Sequence, residues 1–462
     1  MASQTPDKSI FRKYDIRGIV GTTLSAEIIY QIGRGFGATL LDLGERQAIT
    51  ARDTRLSSPA FHQALQQALL DSGIDVTDIG ATPTPLANFA TRRLGIANAA
   101  VITGSHNPCN YNGLKLIVGG KPFHDTQLTQ LYQRVIRTDF KEGKGQLTKQ
   151  KIVPDYIDEI KENIEITCPL RVAVDCGNGI SGPVASRLLT ALGCEVTELY
   201  CEPDGHFPNH HPNPSEPENL RVLQDTVIEQ QLDLGLALDG DGDRLGVIDS
   251  TGKIIWPDRQ LMLFARDILA RLPGRTIVYD VKSTRHLESV IREAGGIPLM
   301  VASGHSLLRE KIEETRAPLG GELSGHLFFN DRWYGFDDGL YTAARLLEIL
   351  CQSEQSSSDL FATLPDSPST PEITIDFGSE EKLRAFMEDY ITLDRNSGDT
   401  RIIATDGLRL EYPTGWSLVR ASNTSPSLSV RFEADDQASL EQIEAQTRHE
   451  ILQVAPELQL PF

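Results

Sequence analysis

A chain of 462 residues, of which 40% are hydrophobic and 23% charged, has the composition of a folded globular protein with three or four domains. Its 44 lysines and arginines against 64 aspartates and glutamates give a net charge of −20, which disfavours binding to nucleic acid or to anionic lipid. A site for an anionic substrate must then be a local cluster of cationic side chains.

Neither the cysteines nor the apolar segments indicate a secreted or membrane protein. The six cysteines contain no Cys-x-x-Cys pair, so we expect reduced thiols and no zinc site. The N-terminal segment Met1–Ile10 lacks the apolar run of a signal peptide, and no segment approaches the roughly 20 apolar residues of a membrane span. We therefore predict a cytoplasmic protein without a membrane partner.

Short apolar runs alternate with helical periodicity, which predicts α/β units with largely parallel sheets. The predicted strands are Ala48–Ala51, Asp75–Ile79, Ala99–Thr103, Arg171–Val174, Glu195–Tyr200, Leu234–Leu238, Thr276–Val281 and Pro298–Ala302, with a helix over Ser57–Ser72. Near the end, a strand at Glu372–Phe377, a helix from Ser379 and a last helix from Gln437 predict a smaller α+β domain.

Composition changes predict the domain boundaries. The basic segment Lys141–Lys151 and the Ser- and Pro-rich segment Gln352–Pro371 are predicted linkers, and another boundary is predicted near Thr251–Pro257. The resulting domains are residues 1–150, 151–254, 255–366 and 367–462.

The segment Thr103–Pro108, with the sequence Thr-Gly-Ser-His-Asn-Pro, directly follows a predicted strand. Ligands of parallel α/β sheets gather at the carboxyl ends of strands, so Ser105 is a candidate functional hydroxyl, although an ordinary turn has the same composition. Gly104 would allow a tight turn. His106 is a poor candidate base for Ser105, because neighbouring side chains on extended backbone diverge.

Three aspartates, Asp239, Asp241 and Asp243, alternate with glycines directly after another predicted strand. A glycine-containing loop can curl so that the three carboxylates converge on one hard cation, whereas without a cation their charges would repel. An EF-hand is disfavoured, because Arg244 and Ser250 stand where such a loop has Gly and Glu. Octahedral Mg²⁺ would keep room for a phosphate, as phosphoryl transfer requires. An aspartate-nucleophile phosphatase, which also has Asp-x-Asp after a strand, is an alternative.

Two further segments carry candidate binding groups. Gly320–His326 offers a carboxylate, a hydroxyl and an imidazole that suit sugar hydroxyls, and Arg420–Pro426 offers a guanidinium, hydroxyls and an amide that suit an anion. Each composition alone is also typical of a plain turn.

The glycines Gly177, Gly179 and Gly182 match the spacing of a dinucleotide-binding turn. Glu198 and Glu202 lie at about the distance along the chain that a ribose contact requires. An NAD-dependent oxidoreductase is therefore an alternative from another class, but it gives no role to Ser105 or to the three aspartates.

Four of these segments, in chain order, resemble the motifs of the α-D-phosphohexomutases, most closely those of the bifunctional phosphomannomutase/phosphoglucomutase branch. They are Thr103–Pro108, Asp239–Arg244, Gly320–His326 and Arg420–Pro426. The resemblance extends to Phe11–Gly18, Asp175–Gly179 and Phe207–Pro212. It implies four domains around a central cleft, with three similar α/β domains of mixed, largely parallel sheets and a smaller C-terminal α+β domain. Each domain would contribute one motif.

The resemblance also implies roles for individual residues. Ser105 would be the phosphorylated serine, and Asp239, Asp241 and Asp243 would bind Mg²⁺ together with the phosphate on Ser105. The implied substrate-binding residues are Tyr14, Lys282, Glu322, Ser324, Arg420, Ser422, Asn423 and Thr424. The implied groups for proton transfer and charge stabilisation are Arg17, Lys115, Arg244, His305 and His326.

The implied reaction is the reversible interconversion of hexose 1-phosphate and hexose 6-phosphate, of mannose or glucose, through a bound hexose 1,6-bisphosphate. We expect a monomer whose partners are small sugar phosphates. Asn423 and Leu323 favour this branch over the phosphoglucosamine mutases, in which glycine and glutamine are usual at these places. Phosphoglucosamine mutase is the alternative within the family.

Overall fold

The structure is a computed structural model that describes residues 5–393, 399–422 and 425–462. The chain divides into two compact units, one of Met1–Gln260 with Ser324–Ala362 and the other of Leu261–Leu323 with Thr363–Phe462. Among the described residues, no helix combines the length and the apolar character that crossing a membrane requires.

The first sheet of the first unit contains seven strands. Its elements are β1 (Ile16–Ile19), α1 (Ala26–Asp42), β2 (Gln47–Arg52), α2 (Ser58–Ser72), β3 (Asp75–Ala81), α3 (Thr84–Arg93), β4 (Ala99–Ile102), β5 (Tyr111–Val118), β6 (Lys121–Pro122), α4 (Thr126–Ile136) and β7 (Leu147–Lys149). The strand order is β1-β5-β4-β2-β3-β7, with β6 beside β5. β2, β3, β4 and β7 are parallel, whereas β5 is antiparallel to β4. The central parallel strands therefore deliver the loop after β4 to one sheet edge.

Two helices beside this sheet illustrate how the sequence determines them, and α2 is the predicted helix over Ser57–Ser72. In α1, buried residues recur at helical spacing, among them Ile29, Ile32 and Phe36, and Ser25 caps its first turn by accepting a hydrogen bond from the Ile28 amide. α2 ends at Gly73, whose φ of 90° suits a glycine C-cap.

The second sheet of the first unit has the order β12-β11-β10-β8-β9. Its elements are α5 (Val153–Asn163), β8 (Arg171–Asp175), α6 (Gly182–Ala191), β9 (Glu195–Leu199), α7 (Arg221–Glu229), β10 (Leu234–Leu238), β11 (Leu245–Asp249) and β12 (Ile254–Ile255). β10 is buried along its whole length and parallel to β8, and it runs antiparallel to β11. The loop that joins β10 to β11 therefore lies at the carboxyl end of a central strand.

The chain continues through α8 (Pro257–Arg271) to a third sheet. In the second unit lie β13 (Thr276–Asp280), α9 (His286–Glu293), β14 (Ile297–Val301), α10 (His305–Thr315) and β15 (Leu319–Gly321). β13 is parallel to both β14 and β15. The segments β16 (Leu327–Phe329), α11 (Gly339–Ser353) and α12 (Ser357–Ala362) belong to the first unit.

The last sheet is antiparallel and five-stranded, with the order β17-β21-β20-β19-β18. Its elements are β17 (Ile373–Asp376), α13 (Glu380–Thr392), β18 (Arg401–Ile403), β19 (Leu408–Tyr412), β20 (Gly415–Ala421), β21 (Ser427–Ala434) and α14 (Gln437–Val454). Its core contains Tyr390, Leu428 and Phe432. This is the α+β domain that the sequence predicts, and the fold class is confirmed.

Two predicted linkers contain regular structure. Lys141–Lys151 includes the edge strand β7, which pairs with β3 through its backbone although its side chains are exposed. Gln352–Pro371 includes the short helix α12, in which Leu360 and Phe361 are buried. Neither element is long enough for its side-chain periodicity to be recognised. The three predicted domain boundaries stay predictions.

The expectation of reduced thiols is wrong for one pair of cysteines. Cys168 and Cys351 form a disulfide, with their Cα atoms 5.6 Å apart and a sequence separation of 183. The fold brings the segment before β8 against α11, which the spacing of the cysteines does not reveal. Cys109, Cys176, Cys194 and Cys201 are free.

Candidate active site

Ser105 lies in a buried loop directly after β4. Its φ of 45° is in the left-handed region, which is uncommon for a residue other than glycine and frequent at functional sites. Its amide donates a hydrogen bond to Thr103 Oγ1 at 2.8 Å, and the amide of Gly104 donates to Asp53 Oδ2 at 2.8 Å. The loop is therefore held by side chains in a conformation that its backbone does not favour.

The three aspartates after β10 form a buried cluster. One carboxylate oxygen from each of Asp239, Asp241 and Asp243 lies within 4.8 Å of the others. Asp239 Oδ1 accepts hydrogen bonds from the amides of Gly242, Asp243 and Arg244, at 3.0, 3.1 and 3.3 Å. Gly242 has a φ of 80°, so glycine permits the curl that the sequence predicts.

The structure brings Ser105 and this acidic cluster together. Ser105 Oγ donates a hydrogen bond to Asp239 Oδ2 at 2.9 Å. The two loops also meet through their backbones, because a Cβ on Gly240 would lie 2.4 Å from the Ser105 carbonyl oxygen. A hydroxyl from the first sheet and carboxylates from the second thus share one site.

Lys115 on β5 neutralises part of the acidic charge. Its Nζ lies 2.8 Å from Asp241 Oδ2 and 2.5 Å from Asp243 Oδ2. Burial alone would lower the pKa of Lys115, but the carboxylates of Asp241 and Asp243 raise that pKa overall. Lys115 therefore carries a positive charge at the centre of the site.

The remaining acidic charge is not fully compensated. Burial, together with the charges of Asp243 and Asp241, raises the pKa of Asp239 well above its usual range. Burial also raises the pKa of Asp241, but Lys115 and the Thr84 hydroxyl outweigh this and lower it. Asp241 Oδ1 and Asp243 Oδ1 are buried and have no hydrogen-bond partner among the described residues. Such oxygens are suitable ligands for a hard divalent cation, so the cluster fits one.

Arg244 and His326 form a second group beside the cluster. Arg244 Nε donates to His326 Nε2 at 3.0 Å, and His326 Nδ1 lies 2.9 Å from Asp337 Oδ2. This arrangement places the ring proton of His326 on Nδ1, facing Asp337. The sequence analysis missed Asp337, although its place in an Asp-Asp pair after an aromatic segment was a usable signal.

Arg17 and His106 flank Ser105. Arg17 pairs with Asp15 and donates to the Thr103 carbonyl oxygen at 3.3 Å. His106 Nδ1 lies 3.1 Å from Ser105 Oγ, so the expectation that the two side chains diverge is wrong, because the loop is not extended. Burial, and the nearby cations of Arg244 and Arg17, lower the pKa of His106 well below its usual value.

Two further predicted residues of the first unit lie in other surroundings. The nearly buried Tyr14 ring lies 6.4 Å from the His124 ring, measured between centroids. The Ser324 carbonyl oxygen accepts a hydrogen bond from Ser215 Oγ at 3.4 Å.

In the second unit, the structure brings Lys282, Glu322 and the start of α10 together. Glu322 Oε1 accepts a hydrogen bond from the amide of Gly304, at 2.5 Å, and His305 is the first residue of α10. Lys282 Nζ lies 2.9 Å from Glu372 Oε2. Although burial lowers the pKa of Lys282, the Glu372 carboxylate raises it overall, so the side chain is cationic.

Two acidic residues that the sequence analysis missed organise this region. Asp280, at the end of β13, accepts hydrogen bonds from Ser303 Oγ at 2.9 Å and from the Leu323 amide at 3.2 Å. Asp406 Oδ2 accepts from Arg420 Nε at 2.9 Å and from the Ser303 amide at 3.0 Å. The position of Asp280 after a buried strand was a signal, whereas Asp406 lies in a turn without one.

The predicted anion-binding segment, Arg420–Pro426, lies only partly within the described residues. Arg420 is buried at the end of β20, and the Ser422 amide donates to the Ser427 carbonyl oxygen at 2.8 Å. Asn423 and Thr424 lie outside the described residues.

The glycines of the dinucleotide-type turn have a packing explanation. A Cβ on Gly182 would lie 1.8 Å from the Cys201 carbonyl oxygen, and one on Gly179 would lie 2.9 Å from the Gly240 carbonyl oxygen. The turn therefore packs directly against the loop of three aspartates.

Comparisons with known proteins agree with this geometry. Family models described as phosphoglucomutase/phosphomannomutase, alpha/beta/alpha domains I, II and III, match residues 8–142, 154–252 and 256–367. The model of the C-terminal domain of the same family matches residues 381–450. The chain belongs to the phosphoglucomutase/phosphomannomutase family. All four domains of this family are present, in the order that the motifs predict.

Curated members of the family are similar over nearly the whole chain. The phosphomannomutase/phosphoglucomutase of Pseudomonas putida is 49% identical over 457 residues, which are 99% of this chain and 98% of the relative. The phosphoglucomutase of Neisseria gonorrhoeae is 46% identical over 446 residues, which are 96% of each chain.

A solved member of the family has the same fold. The crystal structure of a phosphoglucomutase/phosphomannomutase family protein from Burkholderia thailandensis is 45% identical to this chain and superposes with a TM-score of 0.92. The superposition covers 99% of this chain and 100% of the other. These comparisons favour the phosphohexomutase interpretation over the oxidoreductase one.

Proposed function

We propose that this protein is a magnesium-dependent phosphomannomutase/phosphoglucomutase, an isomerase that interconverts hexose 1-phosphates and hexose 6-phosphates. The observation that carries the proposal is the 2.9 Å hydrogen bond between Ser105 Oγ and Asp239, which joins a strained serine to a cation-binding cluster. Relatives with 49% and 48% identity that are named phosphomannomutase/phosphoglucomutase support the same activity.

The cation would be bound by Asp239, Asp241, Asp243 and an oxygen of the phosphate on Ser105. Mg²⁺ suits hard oxygen ligands and, when bound, would neutralise charge on the phosphoryl oxygens. The buried oxygens of Asp241 and Asp243, which have no hydrogen-bond partner among the described residues, support this assignment.

The reaction would proceed through Ser105. Phosphorylated Ser105 would give its phosphoryl group to the free hydroxyl of a bound hexose monophosphate. The bond between phosphorus and Ser105 Oγ would break, and the proton that the sugar hydroxyl loses would restore the Ser105 hydroxyl. The product is hexose 1,6-bisphosphate. This intermediate would reverse its orientation in the site and return its other phosphoryl group to the Ser105 hydroxyl. Catalysis would come mainly from positioning and from electrostatic stabilisation of the phosphoryl oxygens.

The cationic groups near Ser105 fit a role in electrostatic stabilisation of the phosphoryl oxygens. Lys115, Arg17 and Arg244 would stabilise negative charge on the group in transfer, since each is held beside the Ser105 and aspartate loops. His326, with its proton on Nδ1 and Arg244 at Nε2, is a candidate for proton transfer, and His305 is the other.

Further residues are proposed ligands of the sugar and of the phosphate that is not transferred. Proposed ligands of the sugar hydroxyls are Glu322 and Ser324. Proposed ligands of the phosphate are Arg420, Ser422, Asn423 and Thr424, with Tyr14 and Lys282 as further substrate-binding residues. The hydrogen bond from Arg420 Nε to Asp406 supports this, because it orients the guanidinium.

A coupled assay tests the proposal. The purified protein would be given mannose, glucose, glucosamine or N-acetylglucosamine 1-phosphate, with Mg²⁺ and a trace of glucose 1,6-bisphosphate. We expect turnover of the mannose and glucose substrates at rates at least about 10-fold above those of the amino sugars. Faster turnover of an amino sugar would instead assign the protein to the phosphoglucosamine branch, and no turnover of any substrate would contradict the proposal.

We also propose that the protein acts as a monomer in the cytoplasm. The buried sulfurs of Cys176 and Cys201 lie 3.6 Å apart without a bond, which is expected in a reducing compartment. The Cys168–Cys351 disulfide is an observation against this, so cell fractionation decides the location. Light scattering of the purified protein would measure its oligomeric state.

A further inference from the structure

Arg55, in the segment between β2 and α2, has no exposed surface and contacts the Ser105 loop with both terminal nitrogens of its guanidinium. Nη1 donates to the carbonyl oxygens of Pro108 and Tyr111, at 2.6 and 2.9 Å. Nη2 donates to the carbonyl oxygens of Ser105 and Asn107, at 2.8 and 2.5 Å. One side chain thus binds four carbonyl groups of the loop that carries Ser105.

This contact requires an arginine. The planar guanidinium carries five donors in a fixed fork, whereas a lysine has a single ammonium whose donors cannot span four separate carbonyl groups. The Ser105 carbonyl group, whose hydrogen bond to Arg55 is buried, would be left unsatisfied without its donor, and the loop would rearrange to reach water.

The surroundings of Arg55 keep it in place. Asp53 Oδ2 lies 3.3 Å from Arg55 Nε and also accepts the Gly104 amide, so one carboxylate links the arginine to the residue before Ser105. The Phe207 ring covers the guanidinium, with its centroid 5.2 Å from Cζ. Phe207 belongs to the Phe207–Pro212 motif, which the catalytic assignment leaves without a role.

Arg55 also explains why residue 104 is glycine. A Cβ on Gly104 would lie 2.0 Å from Arg55 Nε and 2.3 Å from its Cζ, so any other residue would displace the guanidinium. Residue 104 is therefore glycine mainly because Arg55 occupies the space of its side chain, and less because of the tight turn that the sequence predicts.

We propose that Arg55 is a positioning residue for phosphoryl transfer, which fixes the backbone of residues 105–111 so that Ser105 keeps its left-handed conformation. This inference depends on the proposed role of Ser105 as phosphoryl carrier. Because Arg55 is fully buried, it reaches no substrate and acts through the loop backbone alone. If the loop relaxed, Ser105 would return to a commoner φ and its Oγ would move away from Asp239.

The test compares Arg55→Lys with Arg34→Lys. Arg34 is a matched control, because it is also a buried arginine, on helix α1, where it donates to Ser72 Oγ and to the Lys141 carbonyl oxygen, away from the Ser105 loop. For each variant, kcat and KM are measured with glucose 1-phosphate, together with the melting temperature. Hydrogen exchange of peptides covering residues 104–111 is followed by mass spectrometry.

We expect Arg55→Lys to lower kcat by about 10- to 100-fold with KM changed less than about 3-fold, since a misplacement of about 1 Å can cost 100-fold in rate. The peptide covering 104–111 should exchange faster. Arg34→Lys should keep kcat within about 2-fold and leave that peptide unchanged. A kcat within about 2-fold of wild type for Arg55→Lys, or an equal loss in both variants, would overturn the proposal.

If Arg55→Lys does not fold, Phe207→Leu replaces it in the test, because this change removes the ring from the guanidinium and leaves its donors intact. We expect a loss of about 3- to 10-fold in kcat at unchanged KM, and an unchanged kcat would overturn the proposal.

Ser105→Ala, measured beside these variants, separates the two claims. If this variant kept its activity, the proposed function would fail, whereas the exchange of residues 104–111 would still report whether Arg55 fixes the loop.

Discussion

At the scale of single residues, the proposed chemistry depends on Ser105, a buried serine with a left-handed backbone. This conformation is costly for any residue with a Cβ, and it persists because Asp53 and Thr103 hold the loop amides. The resulting geometry directs the hydroxyl to the acidic cluster.

Replacing Ser105 by alanine should lower kcat by at least about 1,000-fold, because no other group in the proposed mechanism carries the phosphoryl group. Since the change removes one hydroxyl and no packing, the melting temperature should stay within a few degrees of wild type. Ser186→Ala is the control and should keep full activity, because Ser186 is a half-buried serine of α6 whose hydroxyl donates to Glu198, outside the proposed site. A Ser105→Ala enzyme with the wild-type kcat would refute the assignment.

The acidic cluster makes a prediction about Mg²⁺. Asp239→Asn should raise the Mg²⁺ concentration for half-maximal activity by about 10-fold or more, because a neutral amide is a weaker ligand than a carboxylate. Wild-type protein treated with EDTA should be inactive, and its activity should return when Mg²⁺ is added. Asp225→Asn, on the exposed side of α7, should not change the Mg²⁺ titration. An unchanged titration for Asp239→Asn would remove Asp239 from the ligand set.

Ser105 and Asp239 could be predicted from the sequence, because each has a reactive or ionisable side chain just after a predicted strand. The sequence did not predict Arg55, Asp337, Asp280 or Asp406. The partners of Arg55 are main-chain carbonyl groups, and such partners have no signature in a sequence. The pairing of Asp406 with Arg420 depends on how the turn before β19 meets the end of β20.

At the scale of secondary-structure elements, the strands and helices that the sequence analysis names lie within a few residues of their predicted bounds. β10 matches its prediction at both ends, Leu234 and Leu238, because a continuous apolar run bounded by polar residues marks a central strand. β7 and α12 were missed, because three exposed residues and six residues are too few for a periodic pattern. Their formation depends on neighbours that are distant in sequence.

The stability of the region around helix α2 should depend on pH, because the helix contains the buried residue His62. Burial lowers the pKa of His62 to about 4, although Asp78 partly opposes this. Between pH 4 and 6.5 the unfolded chain binds more protons at this residue than the folded chain, so stability is complete above pH 6.5 and is lost as the pH falls. The loss at pH 5 should be about 2 kcal/mol.

Hydrogen exchange of α2, corrected for the intrinsic effect of pH, measures this loss locally. Protection in wild type should fall by about 30-fold between pH 7 and pH 5, and His62→Gln, which does not titrate, should show a much smaller change. Equal pH dependence in the two proteins would contradict the assignment of His62 as a buried neutral residue.

At the scale of the whole molecule, the sequence was sufficient for the family and the fold class, because motifs from all four domains occur in one order. It was not sufficient for contacts made by distant segments. Cys168 and Cys351 are 183 residues apart, and their pairing follows from the packing of α11 near β8. The net charge of −20 likewise does not reveal that Lys115, Arg17 and Arg244 gather around one buried site.

The disulfide predicts the number of free thiols. Protein purified without reductant and unfolded in guanidinium should give four reactive thiols per chain, and six after reduction. Cys351→Ser should give five thiols without reduction, because Cys168 loses its partner. Six thiols in the unreduced wild-type protein would show that the Cys168–Cys351 bond does not form.

The central claim is that Ser105 carries the phosphoryl group beside the three aspartates. Its most direct test is to incubate the protein with glucose 1,6-bisphosphate and Mg²⁺ and to map the phosphate by peptide mass spectrometry. We predict an acid-stable phosphate on the peptide that contains Ser105, and none on that peptide in Ser105→Ala. A hydroxylamine-labile phosphate on Asp239, or no phosphate on Ser105, would contradict the claim.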